Sequence, residues 1–376
     1  MRVVIVGGGI IGASIAWNLA QRGVRSTVIE AGPVAGAATG RGFGWINASF
    51  HLDPAHYRLR VAAMEAWRRV ENALGREAVS WPGCLNWELE GAALEAEHDK
   101  MKTLGYPFEI VEKLAFMAME PALVDAPEAA LFYPSEGAVD GPAMARAMLA
   151  SAEARVMSGV RVAAIEEAAG RVTGVTLSAG RIPADAVVVA AGMGAPALLA
   201  PLGVPLPMMR RPGLLLRTRP VAPVIGHILA SPRQELRQDA AGRILAPTAA
   251  SHQCDDTETV VERPDALADQ ALARLRRMLP GIALDWEEVV LAERPVPGDG
   301  RPVMGPVKAA GGPEGLYLAV MHSGATLAAL AGELAAQEIV AGDDAALLAP
   351  YRVERFARGG DLAPDGGRPG RAGIPV

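Results

Sequence analysis

The chain has 376 residues, 51% of them hydrophobic and 21% charged, with a formal net charge of −6. This length suits two domains or one large composite, the apolar fraction supports a sizeable core, and the acidic balance argues against nucleic-acid binding as the main role. Its two cysteines, Cys84 and Cys254, lie far apart and in no metal spacing, so they point to neither a disulfide framework nor a zinc site.

No charged start followed by an apolar stretch marks a signal peptide, and no uninterrupted apolar run reaches membrane-spanning length. A cytoplasmic protein is the default expectation, with peripheral membrane contact left open.

Arg2 to Val6 is a short β-branched run that predicts a strand buried on both faces. Gly7, Gly9 and Gly12 then give G-x-G-x-x-G, with Ile10 and Ile11 inside the motif and a helical pattern running on to Ala20. The first glycine makes the tight turn, the second lets backbone approach a pyrophosphate, and the third lets helix and strand pack closely. The helix N-terminus offers N–H groups and a positive dipole end to the phosphates. Ser26 to Ile29 predicts a second buried strand ending in Glu30, 18 residues past Gly12, near the roughly 20 expected for an acid that holds a ribose hydroxyl. Ala31 to Trp45 is a long Gly/Ala run where a further helix and strand would be usual. It lets backbone lie close to a ligand and favours FAD over NAD.

Asp53-Pro54 predicts an N-cap and a proline in the first helical turn, with Tyr57, Val61, Met64, Trp67, Val70 and Leu74 on one face. A strand is expected within Trp81–Leu89, a helix over Glu95–Leu104 and a strand near Ala130–Tyr133. Asp140-Gly141-Pro142 starts a second marked helix, Ala143 to about Met157, followed by strands at Val160–Ile165, Arg171–Leu177 and Arg181–Ala190, the last turning at Ala191-Gly192. Strands are read at Leu214–Thr218, Arg243–Ala246 and Trp286–Arg294, and a helix at Pro264–Leu279. Arg294 to Gly305 is too rich in Pro and Gly for regular structure. Leu316–Val320 is a last strand, and His322 to Thr326 leads from it into an Ala/Leu helix ending near Ala341, a second helix N-terminus able to stabilise negative charge. The tail from Arg358 is expected to be loose.

The chain resembles the FAD-dependent D-amino-acid oxidase superfamily, in the branch with glycine oxidase, sarcosine oxidase and D-amino-acid dehydrogenases. The resemblance covers nearly the whole chain. It rests on Val4 to Gly12 with Glu30, Ala38-Thr39-Gly40, Glu136 to Asp140, Ala184 to Gly192, Arg294 to Gly305 and Tyr317 to Thr326. It implies an α/β fold: a Rossmann-like FAD-binding domain of the GR2 type, interleaved with an α+β substrate domain on a mixed or antiparallel sheet. The implied FAD-binding segments are 1–50, 136–210 and 290–376, and the substrate-binding segments 51–135 and 211–289.

The resemblance also implies an extended, non-covalent FAD, since neither cysteine lies where some relatives attach it. Its ADP part would lie on Gly7, Gly9, Ile10, Ile11, Gly12, Glu30 and Ala31, with Val162 on the strand that meets the adenine. Thr39, Gly40, Arg41 and Gly42 would run beside the pyrophosphate and flavin, Ala191 and Gly192 would lie under the cofactor, and Gly324, Ala325 and Thr326 would lie near the pyrimidine ring. Arg294 matches the arginine that holds a substrate carboxylate, a task suited to the guanidinium fork. His322 and His51 are further catalytic candidates, with His56 beside them. Trp45, Trp87 and Met321 are candidates for shaping the pocket, while His252, Cys254, Asp255 and Asp256 read as surface loop.

The implied reaction is oxidation of the C–N bond of an amino acid or N-substituted amino acid by hydride transfer to flavin N5, giving an imine that hydrolyses to a keto acid or aldehyde. A neutral amine needs no dedicated base, which fits a sequence without an evident acid–base pair. The electron acceptor is O2 or a quinone or other carrier. Scarcity of lysine, with Lys308 the only one in the last third, tilts the reading to a dehydrogenase, since many oxidase relatives use a lysine to activate oxygen. Two alternatives stay open: a biosynthetic flavoenzyme acting on a cyclic or N-methylated amine without a carboxylate, and a nucleotide-binding protein without redox turnover. The sequence does not indicate an oligomeric state.

Overall fold

The computed structural model describes residues 1–75, 78–250 and 264–357. The expected surface loop at His252 to Asp256 and the expected loose tail lie outside the described residues.

Val3–Val6 is fully buried and forms the centre of a six-stranded sheet, in the order 303–306, 316–320, 186–189, 3–6, 26–30 and 155–158. All neighbours pair in parallel except 303–306, which runs antiparallel to 316–320. Alternate residues of the first strand face different cores. Val3 and Ile5 face a cluster with α1 (Ile10–Ala20), α2 (Pro54–Leu74), α3 (Gly141–Ser151) and α4 (Gly324–Ala341). Val4 and Val6 face a cluster with the three-stranded antiparallel sheet of residues 162–168, 171–177 and 180–183. A parallel sheet covered on both faces explains its near-continuous Val/Ile sequence.

Both predicted caps form. Asp53 accepts from the His56 amide at 2.8 Å and Asp140 from the Ala143 amide at 2.9 Å, with a proline in each first turn. The helix expected to run to about Met157 stops at Ser151, and Arg155–Ser158 instead joins the parallel sheet as its edge strand. The break is at Glu153, whose φ of 47° no helix continues through. Likewise Arg181–Ala190 splits into 180–183 and 186–189, because Ala184-Asp185 turns the chain from one sheet to the other. The segment Arg294–Gly305, expected to be irregular, contributes Val296–Pro297 and the edge strand Val303–Pro306. Prolines are tolerated there because edge positions need not donate to a ladder.

Beside a small three-stranded sheet of residues 45–46, 137–139 and 79–80 and the strand pair 208–209 with 296–297, two four-stranded sheets make up most of the rest. One is antiparallel, in the order 237–238, 244–247, 212–218 and 286–293, and the helix Pro264–Met278 packs with it around Leu216, Ala246 and Leu275. The other is mixed, in the order 228–230, 84–86, 129–133 and 109–112. Helix α2, assigned by the sequence reading to a substrate-binding segment, lies against α4, where the Trp67 indole N–H donates to the Ala325 and Thr326 carbonyls at 2.9 Å. The fold is thus α/β, with a Rossmann-like sheet and an α+β part on antiparallel and mixed sheets.

Candidate active site

The carboxyl ends of the parallel strands carry the glycine turn. Gly7 has φ +112°, and a Cβ there would stand 2.3 Å from the Ala190 carbonyl oxygen and 3.1 Å from Ala191 Cα. A Cβ on Gly12 would stand 2.0 Å from the Gly7 oxygen. Both glycines are therefore fixed by backbone-on-backbone approach. Glu30, at the end of the next strand, accepts from the Gly8 amide at 2.7 Å and the Gly32 amide at 2.8 Å, so it ties the turn to the chain after Ala31. Val160 donates to the Glu30 carbonyl at 2.9 Å, which brings buried Val162 and its sheet to this end.

Thr39 links this turn to the Gly/Ala segment: its hydroxyl accepts from the Ile10 amide at 3.0 Å. Gly40 follows, and a Cβ there would stand 2.5 Å from the Ala35 oxygen. Three arginines then fasten the segment to the antiparallel sheet. Arg217 donates to the Gly40 carbonyl at 2.5 Å, Arg41 to the Leu291 carbonyl at 2.9 Å, and Arg237 to the Phe43 carbonyl at 2.6 Å.

Between the segment and that sheet lies a cavity of about 630 Å3. Its walls bring together Ile10, Ile11, Thr39, Gly40, Arg41, Gly42, Arg294, His322, Gly324, Ala325 and Thr326 from the sequence reading. Trp45 and Met321 also line it, and Trp87 does not. Gly7, Gly9, Gly12, Glu30, Ala31 and Val162 lie outside the lining, along the sheet end where an extended ligand would continue. Ala191 and Gly192 also lie outside it, although Gly192 neighbours Pro295, which is part of the wall.

Two helix N-termini open on the cavity side by side. A Cβ on Gly324, the first residue of α4, would meet only the Ile11 side chain, at 3.7 Å. The first N–H groups of a helix have no partner within it, so both ends present donors and positive dipole ends. The Thr326 hydroxyl itself is committed to protein: it donates to the Trp45 carbonyl at 3.0 Å and accepts from the Asn47 amide and from Arg60, each at 3.3 Å.

Arg294 follows the strand 286–293 and stands on the cavity wall. Its Nε donates to the Arg211 carbonyl at 2.8 Å and its Nη2 to the Pro212 carbonyl at 3.3 Å, while Gly213 leaves room for its stem. The group is held in one orientation before any ligand arrives. His322 is half-buried, with its ring nitrogen Nδ1 3.2 Å from the Ser323 hydroxyl.

The structure does not bring His51 to the cavity. It is buried, its Nδ1–H bonds the Ala48 carbonyl at 3.0 Å, and its ring packs edge-on to Tyr57. The physical reason is local: the turn after Phe50 needs a donor for that carbonyl. His56 is also inside the protein, where burial and then Arg60 push its pKa down to about 2, so it stays neutral.

Arg60, Arg217 and Arg237 also line the cavity, and the sequence reading singled out none of them. Arg60 lies on the helical face read as apolar, and Arg237 sits in a polar run, Gln234 to Asp239, that looks like loop. No local pattern marks either, because their partners Asn47 and Phe43 are distant in sequence.

The sequence matches the FAD dependent oxidoreductase family over residues 2–338. The chain belongs to this family. It is 29% identical to a glycine oxidase of Pseudomonas aeruginosa, over 85% of this chain and 89% of that one. It is also 30% identical to the bifunctional protein ThiO/ThiG of Trichormus variabilis over 58% of this chain, and spans about a third of that protein (34%). The crystal structure of glycine oxidase from Geobacillus kaustophilus superposes with a TM-score of 0.81 at 25% identity, over 94% of this chain and 99% of that one.

The cofactor of the family is FAD, and the site fits it. Gly7 and Gly12 leave no room for a Cβ, Glu30 braces that turn, two helix N-termini offer donors, and the cavity walls are rich in arginine, which suits a pyrophosphate-bearing ligand. The protein is an FAD-dependent oxidoreductase of the family that oxidises amines and amino acids. Among the described residues no helix is long and apolar enough to cross a membrane.

Glu136, one of the residues carrying the family resemblance, is a buried carboxylate behind this site. It accepts from the Trp45 indole at 2.9 Å, the Tyr106 hydroxyl at 3.0 Å and the Ser49 amide at 3.2 Å. Burial outweighs these bonds and raises its pKa from 4.5 to about 7. The folded protein therefore holds a proton here that the unfolded chain gives up above pH 4.5. This contribution to stability is full below pH 4.5 and falls as pH rises towards 7, by about 3 kcal/mol at most. His56, with its lowered pKa, contributes the opposite slope below its ordinary value of 6.5, so the parent profile alone does not isolate Glu136. Urea unfolding of the Glu136→Gln variant and the parent from pH 5 to 8 does. The parent should lose stability relative to the variant as pH rises, and parallel profiles would refute the assignment.

Proposed function

We propose that the enzyme oxidises the C–N bond of a carboxylate-bearing amine, an amino acid or N-substituted amino acid, to an imine that water converts to a keto acid or aldehyde. The observation that carries this reading is the placement of Arg294, pre-oriented by two backbone carbonyls, on the same cavity wall system as the paired N-termini of α1 and α4. FAD, once held there, supplies the two-electron acceptor that takes a hydride from the carbon bearing the nitrogen.

The chain's own residues do the positioning. Arg294 meets the substrate carboxylate through its guanidinium and so would fix which carbon faces the cofactor. The end of α4, at Gly324 to Thr326, lines the cavity and would offer N–H donors to negative charge that reduction of FAD develops. Trp45, clamped between Glu136 and Thr326, keeps the cavity floor rigid. The amine enters neutral and needs no basic residue to start the reaction.

The electron acceptor is proposed to be a quinone or carrier protein rather than O2. Among the described residues no lysine lines the cavity, and Lys308 is exposed, paired with Glu314 at 3.2 Å. Anaerobic mixing of the holoenzyme with a panel of D- and L-amino acids and N-substituted amino acids should bleach the flavin bands with at least one compound. Slow oxygen uptake during turnover, with fast reduction of a quinone dye, is the expected companion result. Bands that persist with every carboxylate-bearing amine but bleach with a cyclic or N-methylated amine lacking a carboxylate would overturn the substrate class. Rapid oxygen uptake would overturn the acceptor.

A further inference from the structure

The cavity holds a second arginine that the reaction as proposed does not use. Arg237 is buried, at 9% exposure, on the short strand 237–238. Among the described residues its guanidinium makes a single hydrogen bond, from Nε to the Phe43 carbonyl at 2.6 Å, and lies 5.5 Å over the Phe43 ring. The carboxylates nearest in charge are both committed elsewhere. Asp239 accepts from the Ala241 amide at 3.0 Å and from the Arg243 amide and Nε at 2.9 Å, and Asp140 caps α3.

A buried cation with no carboxylate in direct contact among the described residues is costly; Asp239 and Asp140 favour its charge from a distance, while burial lowers it to about 10 and leaves it charged at neutral pH. The protein nonetheless holds it firmly. The neighbouring Gln238 amide bonds five backbone groups, at Val221, Ala222, Val224, Ile225 and Gly242, and so locks the hairpin that carries Arg237. Arg237 lines the cavity together with Arg294. A rigid cation on a cavity wall, with one hydrogen bond and no directly paired carboxylate among the described residues, is suited to receive an anion.

The site does not suit the cofactor's phosphates. Those belong at α1, whose Ile10 amide touches Thr39. Arg237 instead holds Phe43, four residues further along, and sits on the sheet that closes the cavity from the other side. We infer that Arg237 receives a second anionic group of the substrate, so that the substrate class is an amino acid carrying a further carboxylate on its side chain or nitrogen substituent. This rests on the proposed function for its first carboxylate, at Arg294.

The strand register sets the spacing. Arg237 pairs level with Leu245 and Arg217, whereas Arg294 follows Glu293, which is level with Pro212. Five steps of extended backbone separate those levels, roughly 17 Å at about 3.3 Å each. The two carboxylates are therefore several bonds apart rather than on adjacent carbons.

The test titrates the flavin absorbance of the holoenzyme with non-oxidisable α,ω-dicarboxylates of increasing length, each against the monocarboxylate of equal length. One dicarboxylate should bind at least about tenfold more tightly than its monocarboxylate, as a charge-assisted hydrogen-bonded pair supplies. In Arg237→Gln the advantage should collapse to about onefold with FAD content unchanged, and Arg237→Lys should recover part of it. Equal binding of mono- and dicarboxylates by the parent would overturn the inference. So would an Arg237→Gln holoenzyme that keeps the dicarboxylate preference. Because no turnover is read, failure of every amine to bleach the flavin would sink the proposed reaction without touching this result.

Discussion

Replacing Arg294 by alanine is expected to lower kcat/KM for a carboxylate-bearing amine by roughly 100- to 1,000-fold, the cost of truncating one partner of a desolvated, hydrogen-bonded charge pair. The loss should appear in both constants. KM rises because the carboxylate loses its fork, and kcat falls because a substrate anchored at one end only no longer presents its carbon in one orientation. Arg294→Lys separates charge from geometry. A lysine restores the positive charge but cannot present two parallel donors, nor could it hold the backbone carbonyls at 211 and 212 together with a ligand as a guanidinium can. It should recover binding more than turnover. Flavin content of each variant is the control, since Arg294 lines the cavity and Gly7, Gly9 and Gly12 do not. An unchanged kcat/KM in Arg294→Ala with full flavin content would transfer the carboxylate to another cavity arginine, or remove it from the substrate.

The features legible in the sequence are those whose partners are close in the chain. The turn Gly7 to Gly12 and the caps at Asp53 and Asp140 are local devices, and each forms as the spacing predicts. Arg155–Ser158 escaped notice because an Ala/Met-rich helix runs into it without Gly or Pro, and only the positive φ of Glu153 separates them. Val303–Pro306 was hidden by the prolines around it, which an edge strand tolerates. Half of the candidate site was readable in the same way: Thr39 to Gly42 and His322 to Thr326 do meet at one cavity. The other half was not. Arg237 reaches Phe43 across 194 positions and Arg217 reaches Gly40 across 177, so nothing near either arginine in sequence announces its role. His51 shows how a local contact is missed. A histidine after a glycine-rich segment looks available for chemistry, but here a carbonyl three residues back claims its ring.

The contact between the two large helices of the nucleotide sheet gives the second strong prediction. Gly332 in α4 faces Ser14 in α1, and a Cβ at 332 would stand 2.1 Å from the Ser14 hydroxyl and 2.6 Å from its backbone carbonyl. Gly12 meets the Gly7 oxygen at 2.0 Å in the same sense. Alanine at either position has to move backbone rather than a flexible side chain, and such overpacking costs about 3 kcal/mol. In mid-helix the intrinsic preference for alanine offsets about 1 kcal/mol at Gly332. Gly12→Ala should therefore be the worse of the two, and it should also release FAD, because the displaced Gly7 oxygen belongs to the turn that approaches the pyrophosphate. Gly23→Ala is the control. Its φ of +75° carries a strain of about 1 kcal/mol, but a Cβ there meets nothing within 4 Å, so it should keep FAD and shift the urea midpoint least. The order Gly12→Ala, Gly332→Ala, Gly23→Ala in lost stability, with flavin released by the first, follows from close approach of backbone. Equal shifts for all three would mean that the helices and turn relax freely, and that the glycines at this end serve chain conformation alone.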